Sequence, residues 1–188
     1  MENASESTIK GTGVVAGVAY AEAVWVRPRP ALPTEGSIDP EQASESEYNR
    51  FLAAVDTVAN RLEKRAAAAE GQAAEVLTAT AGMVKDRGWH KTVRKNIRTG
   101  RNAEFATVGA TDKFVTMFEA AGGVMAERTT DLKDVRDRVI AELRGEDEPG
   151  LPLVDGEAVL FADDLAPADT ATLDTKHIKA CLLYTSLM

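Results

Sequence analysis

Two histidines and one cysteine are the residues best suited to covalent chemistry, and their neighbours decide whether they can perform it. A side-chain nucleophile needs a nearby base or charge that favours its reactive form. His90 sits in a basic run with no carboxylate at helical spacing before it, and reads as a surface histidine. His177 follows Lys176, whose like charge works against a raised, activated base. Cys181 is alone, which excludes an internal disulfide, and one cysteine far from two histidines has no zinc-finger spacing. No serine has glycines two before and two after it, as a strand-to-helix nucleophile elbow requires. Gly11, Gly13 and Gly17 are not spaced as a dinucleotide loop, and no Lys-Ser or Lys-Thr pair follows at phosphate-loop spacing, so a tight turn is the better reading.

Charge carries more information than the nucleophiles do. The 188 residues sum to −8 and are 5% aromatic, which argues against a general nucleic-acid binder. Yet residues 85–101 hold seven basic groups against one acid, Asp86. Lys91, Arg94, Lys95 and Arg98 share one helical face: either an anion or nucleic-acid patch, or a solvated face opposite Val93 and Ile97. The solvated face is favoured. No apolar run approaches the roughly 20 residues that span a bilayer, and the acidic opening MENASESTIK lacks a secretory pattern, so no membrane segment and a cytoplasmic location are expected.

The elements that must position these residues follow from periodicity. Ile9–Val26, continuous in Gly, Val and Ala, predicts two short buried strands around Gly17, and RPRPALPTEGS (27–37) predicts a linker. Asp39 as N-cap and Pro40 at the first helical position open a long amphipathic helix with Tyr48, Phe51, Leu52, Val55, Val58, Ala59, Leu62 and Ala66 on one stripe. Gly71 interrupts it, and a second helix folds back before a break at Arg87-Gly88. A third helix runs from Trp89 to about Arg98, and a fourth, capped by Asn102, has Phe105, Val108, Val115 and Phe118 on one side and is closed by Gly122 and Gly123. A fifth runs from about Thr130 to Arg144 and ends at Gly145. EDEPGLP (146–152) is a linker, Glu157–Ala162 a strand, and Pro167 the start of a short helix. Strands, then helices, then a strand predict an α+β, mostly α fold: a helical bundle at 38–146 inserted into an incomplete α/β unit made by 9–30 and 153–178.

Two stretches resemble the amino-terminal region of enzyme I of the bacterial phosphoenolpyruvate-dependent sugar phosphotransferase system. In ERTTDLKDVRDRVIAELRG, Glu127, Arg128, Asp131, Asp134, Val135, Arg138, Leu143 and Gly145 match that family's E-R-x-x-D-x-x-D-[IV]-x-x-R helix and its L-x-G end. In EAVLFADDLAPADTATL, Asp164, Leu165, Pro167, Ala168, Asp169, Thr170 and Leu173 match its strand-then-helix turn. The opening is similar at Gly11, Gly17, Val18, Ala19 and Ala23, but has Val15-Ala16 for the family's Ser-Pro and Ala21 for its second glycine.

The resemblance implies that the bundle is an HPr-binding domain and the α/β part a phosphohistidine subdomain, belonging to a phosphotransferase that passes a phosphoryl group from phosphoenolpyruvate to the carrier HPr. It implies a docking helix over Glu75–Asp86, with Leu77, Met83 and Val84 as apolar contacts, Glu75 and Asp86 as charge partners, and Arg128 on the same surface. The alternative for Met83 and Val84 is that they simply fill the bundle core, and the docking reading is favoured. Lys85 departs from the family, which often has an acid there. The phospho-accepting histidine motif of the family lies beyond His177 and has no match here, so no catalytic residue is assigned and the chain is expected to be inactive alone. No cofactor is expected in it, and Mg²⁺ is expected for the full-length protein. The family's dimer belongs to a missing barrel, so a monomer is expected. Residues 179–188 do not continue as the family does, and read as a non-native tail with no strand. The rival reading is a helical protein-interaction module with no phosphotransfer role.

Overall fold

The computed structural model describes residues 11–152 and 154–184. Strand β1 (Glu22–Trp25) is followed by helices α1 (Pro40–Ala68), α2 (Gly71–Val84), α3 (Arg87–Arg98), α4 (Ala103–Ala121), α5 (Gly123–Glu127) and α6 (Thr129–Arg144). The chain then returns to β2 (Ala158–Ala162), α7 (Pro167–Ala171) and β3 (Ile178–Leu183). The sheet is parallel throughout in the order β1-β2-β3, with Glu22 opposite Ala158 and Trp25 opposite Phe161. Parallel neighbours need a crossover. Between β1 and β2 that crossover is the whole helical bundle; between β2 and β3 it is α7.

The bundle forms where its pattern says it should. Asp39 stays extended and its Oδ1 accepts the Glu41 N–H at 3.0 Å, with Pro40 inside the first turn. The α1 stripe buries Phe51, Val55, Val58, Ala59 and Leu62 against Leu77 and Val84 of α2, Trp89, Val93 and Ile97 of α3, and Val135 and Val139 of α6. Phe51 meets Trp89 edge-on at 5.4 Å between centroids, and the indole Nε1–H donates to Thr111 Oγ1 at 3.2 Å. The wide apolar ring therefore hides its polar edge without loss.

Four expectations need correction. Residues 11–20 form no strand; Val14, Val15, Val18 and Tyr20 are exposed, because only residues 22–25 find a partner in β2, and Ile9 and Lys10 lie outside the described residues. The break after α2 falls at Lys85-Asp86 rather than Arg87-Gly88, since Asp86 Oδ1 accepts the Trp89 N–H at 2.7 Å and starts α3 there. Gly122 and Gly123, both at positive φ, do not end the helical run but turn it into the extra helix α5. Finally, the boundary drawn at residue 178 cuts through β3, whose Ala180–Leu183 pair with Val159–Ala162.

A buried ion cluster joins bundle to sheet. The Arg138 side chain on α6 is 0% exposed. Its Nε donates to Asp134 Oδ2 at 2.8 Å, its Nη2 to Asp169 Oδ1 of α7 at 2.7 Å, and its Nη1 to Glu148 of the returning linker. Arg65 of α1 grips the other side of Glu148 through both Nη atoms, at 3.0 and 2.9 Å. Three carboxylates thus share two guanidiniums. Burial lifts the Asp134 carboxyl above its ordinary range even though Arg138 pulls it down. Burial also opposes the Glu148 charge, but Arg138 and Arg65 outweigh it and hold that carboxyl low. Gly150 sits at φ +105 so close to Asp169 that a Cβ would run into Oδ1. A second tie lies beside it, where Asp137 of α6 accepts from Arg136 and faces Arg29 of the first linker at 4.0 Å.

Candidate functional site

The end of the bundle where α2 turns into α3 holds half of the residues assigned to partner binding. Glu75 is exposed on α2 and Met83 is half-buried against the core. Asp86 caps α3 and keeps its charge at the surface, with the Phe114 ring of α4 lying against the neighbouring Gly88. Phe114 and Phe118 stack edge-to-face at 6.2 Å, both half-buried, and α4 leads into the exposed Met117, Val124 and Met125. Arg128 is exposed between α5 and α6. Burial raises the Asp131 carboxyl, and the Arg128 charge acts against that rise.

Leu77 and Val84 are corrections. Both are 0% exposed and belong to the core, because the α2 residues three and four apart that face α1 are these two with Thr80 and Ala81. Phe114, Phe118, Met117, Val124 and Met125 were missed as surface. Phe118 had been placed on a core-facing side, but the deep face of α4 is lined by small residues, Ala103, Ala106, Thr107, Ala110 and Thr111. Such residues let helices approach closely and leave large rings to the edge. Lys85 pairs with Glu63 of α1, so its basic charge is largely taken up within the hairpin.

His90 sits in the same α2–α3 corner, and His177 lies just before β3. His90 Nε2 donates to Val84 O at 2.8 Å, and its ring meets Phe51 edge-on. His177 bonds Asp174 through Nδ1 at 2.9 Å, and that contact holds the exposed Asp174 carboxyl low. Partial burial pushes the Cys181 thiol up, away from the thiolate a nucleophile needs. Among the described residues no group of three His, Cys, Asp or Glu side chains is placed to hold a metal ion. The three carboxylates that do gather, Asp134, Glu148 and Asp169, have the Arg138 guanidinium between them. No helix is long and apolar enough to cross a membrane among the described residues.

A helical bundle threaded into the crossover of a small parallel sheet, and pinned to it by a buried arginine, defines a mostly helical α+β protein with an inserted helical domain. A family described as "PEP-utilising enzyme, N-terminal" matches residues 10–128, and the chain belongs to that family. It is 40% identical over 169 residues to a phosphoenolpyruvate-protein phosphotransferase of Streptomyces coelicolor, covering 90% of this chain and 30% of that protein. It is 30% identical over 174 residues to the Bacillus subtilis protein of the same name, covering 91% and 30%. The chain therefore spans about 30% of the length of these curated relatives. The fold is that of a solution structure of Enzyme I, with a TM-score of 0.73 at 24% identity over 86% of this chain and 67% of that one. It is also that of an N-terminal domain of Enzyme 1 - Nitrogen, with a TM-score of 0.60 at 22% identity over 89% and 70%.

Proposed function

We propose that this chain is the amino-terminal, carrier-docking part of a phosphoenolpyruvate-protein phosphotransferase, and that its bundle holds HPr while HPr receives the phosphoryl group from another part of the protein. What supports this reading is the set of half-buried apolar side chains Met83, Phe114 and Phe118, with Asp86 at the α2–α3 turn, Glu75 about two turns before Met83 along α2 and Arg128 at the α5–α6 junction. Such a set buries apolar area against a partner, while flanking charges set the register and steer the approach. The contact set is Glu75, Met83, Asp86 and Arg128; Leu77 and Val84 support it from beneath.

Phosphoryl acceptance belongs to residues outside those described here. Neither His90, engaged with a backbone carbonyl, nor His177, exposed and bonded to Asp174 through Nδ1, lies in the phospho-acceptor motif that the resemblance implies. The chain by itself is expected to take no label from phosphoenolpyruvate with Mg²⁺; label on either histidine would overturn that assignment.

Docking is tested by titrating HPr into the full chain and following amide shifts. Shifts should concentrate around Met83, Phe114 and Arg128, and Met83→Ala combined with Arg128→Gln should weaken binding about tenfold or more. Leu77→Ala should instead cost about 2–5 kcal/mol of stability. Unperturbed amides at these residues at saturating HPr would favour the rival reading of an interaction module with another partner.

A further inference from the structure

The basic helix α3 carries a feature that docking leaves unused. Arg87, Lys91 and Arg94 recur on successive turns of one face, and with His90 and the Tyr48 ring of α1 they line a shallow recess of about 250 Å³. The Arg94 guanidinium lies over the Tyr48 ring, 4.7 Å from its centroid, which holds it in place. Its acidic neighbour is the exposed Glu45, at 3.4 Å. Its Nε is buried and meets no hydrogen-bond acceptor among the described residues. Arg87 and Lys91 are exposed and enter no ion pair among the described residues.

A plain solvated helix face has no such recess. Here three cationic side chains line an aromatic-floored hollow, and hydrogen bonds from guanidinium and ammonium groups are strongest to anionic oxygens. Three positive groups around one small volume favour a doubly charged ligand with several oxygens over a single carboxylate. The hollow is smaller than the pockets that enclose drug-sized molecules, and the rest of the chain is acidic, which disfavours an extended polyanion.

We infer that this recess is a binding site for a small phosphate dianion, either free or as the head of a phosphate monoester, held by Arg87, Lys91 and Arg94 against Tyr48. The site stands independently of the docking reading, since it uses none of the docking residues.

The test is calorimetric titration of inorganic phosphate, and separately of glycerol 3-phosphate, into the full chain at ionic strength held constant with chloride, with amide shifts followed in parallel. Saturable binding of at least one of the two should appear, with shifts confined to α3 and the Tyr48 turn. Lys91→Gln should weaken it about fivefold to tenfold, as should Arg94→Gln, while Lys133→Gln on α6 leaves it unchanged. Lys91 is exposed, so an unchanged melting temperature for that variant separates lost binding from lost fold. Absence of saturation with both ligands, an equal response to chloride alone, or undiminished binding in Lys91→Gln and Arg94→Gln would overturn the proposal.

Discussion

Replacing Arg138 by Met removes one charge and leaves most of the side-chain stem to fill its space. The three carboxylates it served, Asp134, Glu148 and Asp169, would then have Arg65 alone among them, and Arg65 reaches only Glu148. The Arg138 side chain is fully buried, so solvent cannot screen the loss, and removal of one partner from a buried ion pair costs about 3–5 kcal/mol. That is a large part of the roughly 5–15 kcal/mol that holds a domain together. At about 2–4 °C per kcal/mol for a chain of this size, the melting temperature should fall by roughly 6–20 °C. Arg61→Met gives the comparison, because the Arg61–Glu142 pair is as short, 2.7 Å, but has an arginine 43% exposed, and should cost about 0.2–1 kcal/mol. The assay is thermal unfolding of the full chain followed by circular dichroism near neutral pH. Adding Asp134→Leu, Glu148→Met and Asp169→Leu to Arg138→Met should recover much of the loss, since an apolar cluster needs no counter-charge. Equal melting of Arg138→Met and Arg61→Met would refute the claim that the cluster fastens bundle to sheet.

Gly150→Ala should destabilise by about 1–3 kcal/mol, through strain at φ +105 and through displacement of Asp169 from Arg138. Gly156→Ala, at φ +127 in open space, should cost less in the same melts, and equal costs would discount the clash with Asp169. Acidification acts on the cluster with two signs. Glu148 is held low in the fold, so its contribution is complete above the unfolded carboxylate value of about 4.3 and is lost as pH falls through its lower native value. Asp134 is raised by burial, so its ionisation costs stability above the raised value, and that cost disappears on protonation. Stability should therefore hold or rise slightly as pH falls through the raised Asp134 value and decline once pH passes below the unfolded carboxylate value of about 4.3. Glu148→Gln should flatten the acid limb in melts taken across that range. Asp86→Ala should remove the α3 cap at a cost of about 1 kcal/mol, whereas Asp86→Asn keeps the cap and drops the charge. Weaker HPr binding by Asp86→Asn at unchanged stability would show that the charge contributes to docking.

Helices with long apolar stripes and capped ends were legible in the sequence because periodicity and capping are local. Asp39, Asn102 and Gly145 stand at helix ends as expected, with Asn102 Oδ1 accepting the Phe105 N–H at 2.9 Å and Gly145 at φ +67. The return of the chain to a strand beside the first was legible from element order alone. What was not legible depends on partners distant in sequence. The valines of residues 11–20 have strand composition, but a strand exists only where a neighbour pairs with it, and β2 reaches no further than residue 22. The α6 pattern marks Leu132, Val135 and Val139 as core, yet the same helix buries Asp134, Asp137 and Arg138, a set that any one-helix reading assigns to solvent. Their burial follows from Glu148, Asp169 and Arg29 arriving from three other segments with complementary charge. The resemblance had already singled out Asp134, Arg138 and Asp169 without a reason for them, and the structure supplies one that is architectural. Residues that match a family motif can thus serve by fixing where the helical bundle sits relative to the sheet. On the docking reading proposed above, holding that angle would itself be a requirement of transfer, because a misplacement of about 1 Å at the reacting atoms can cost about a hundredfold in rate.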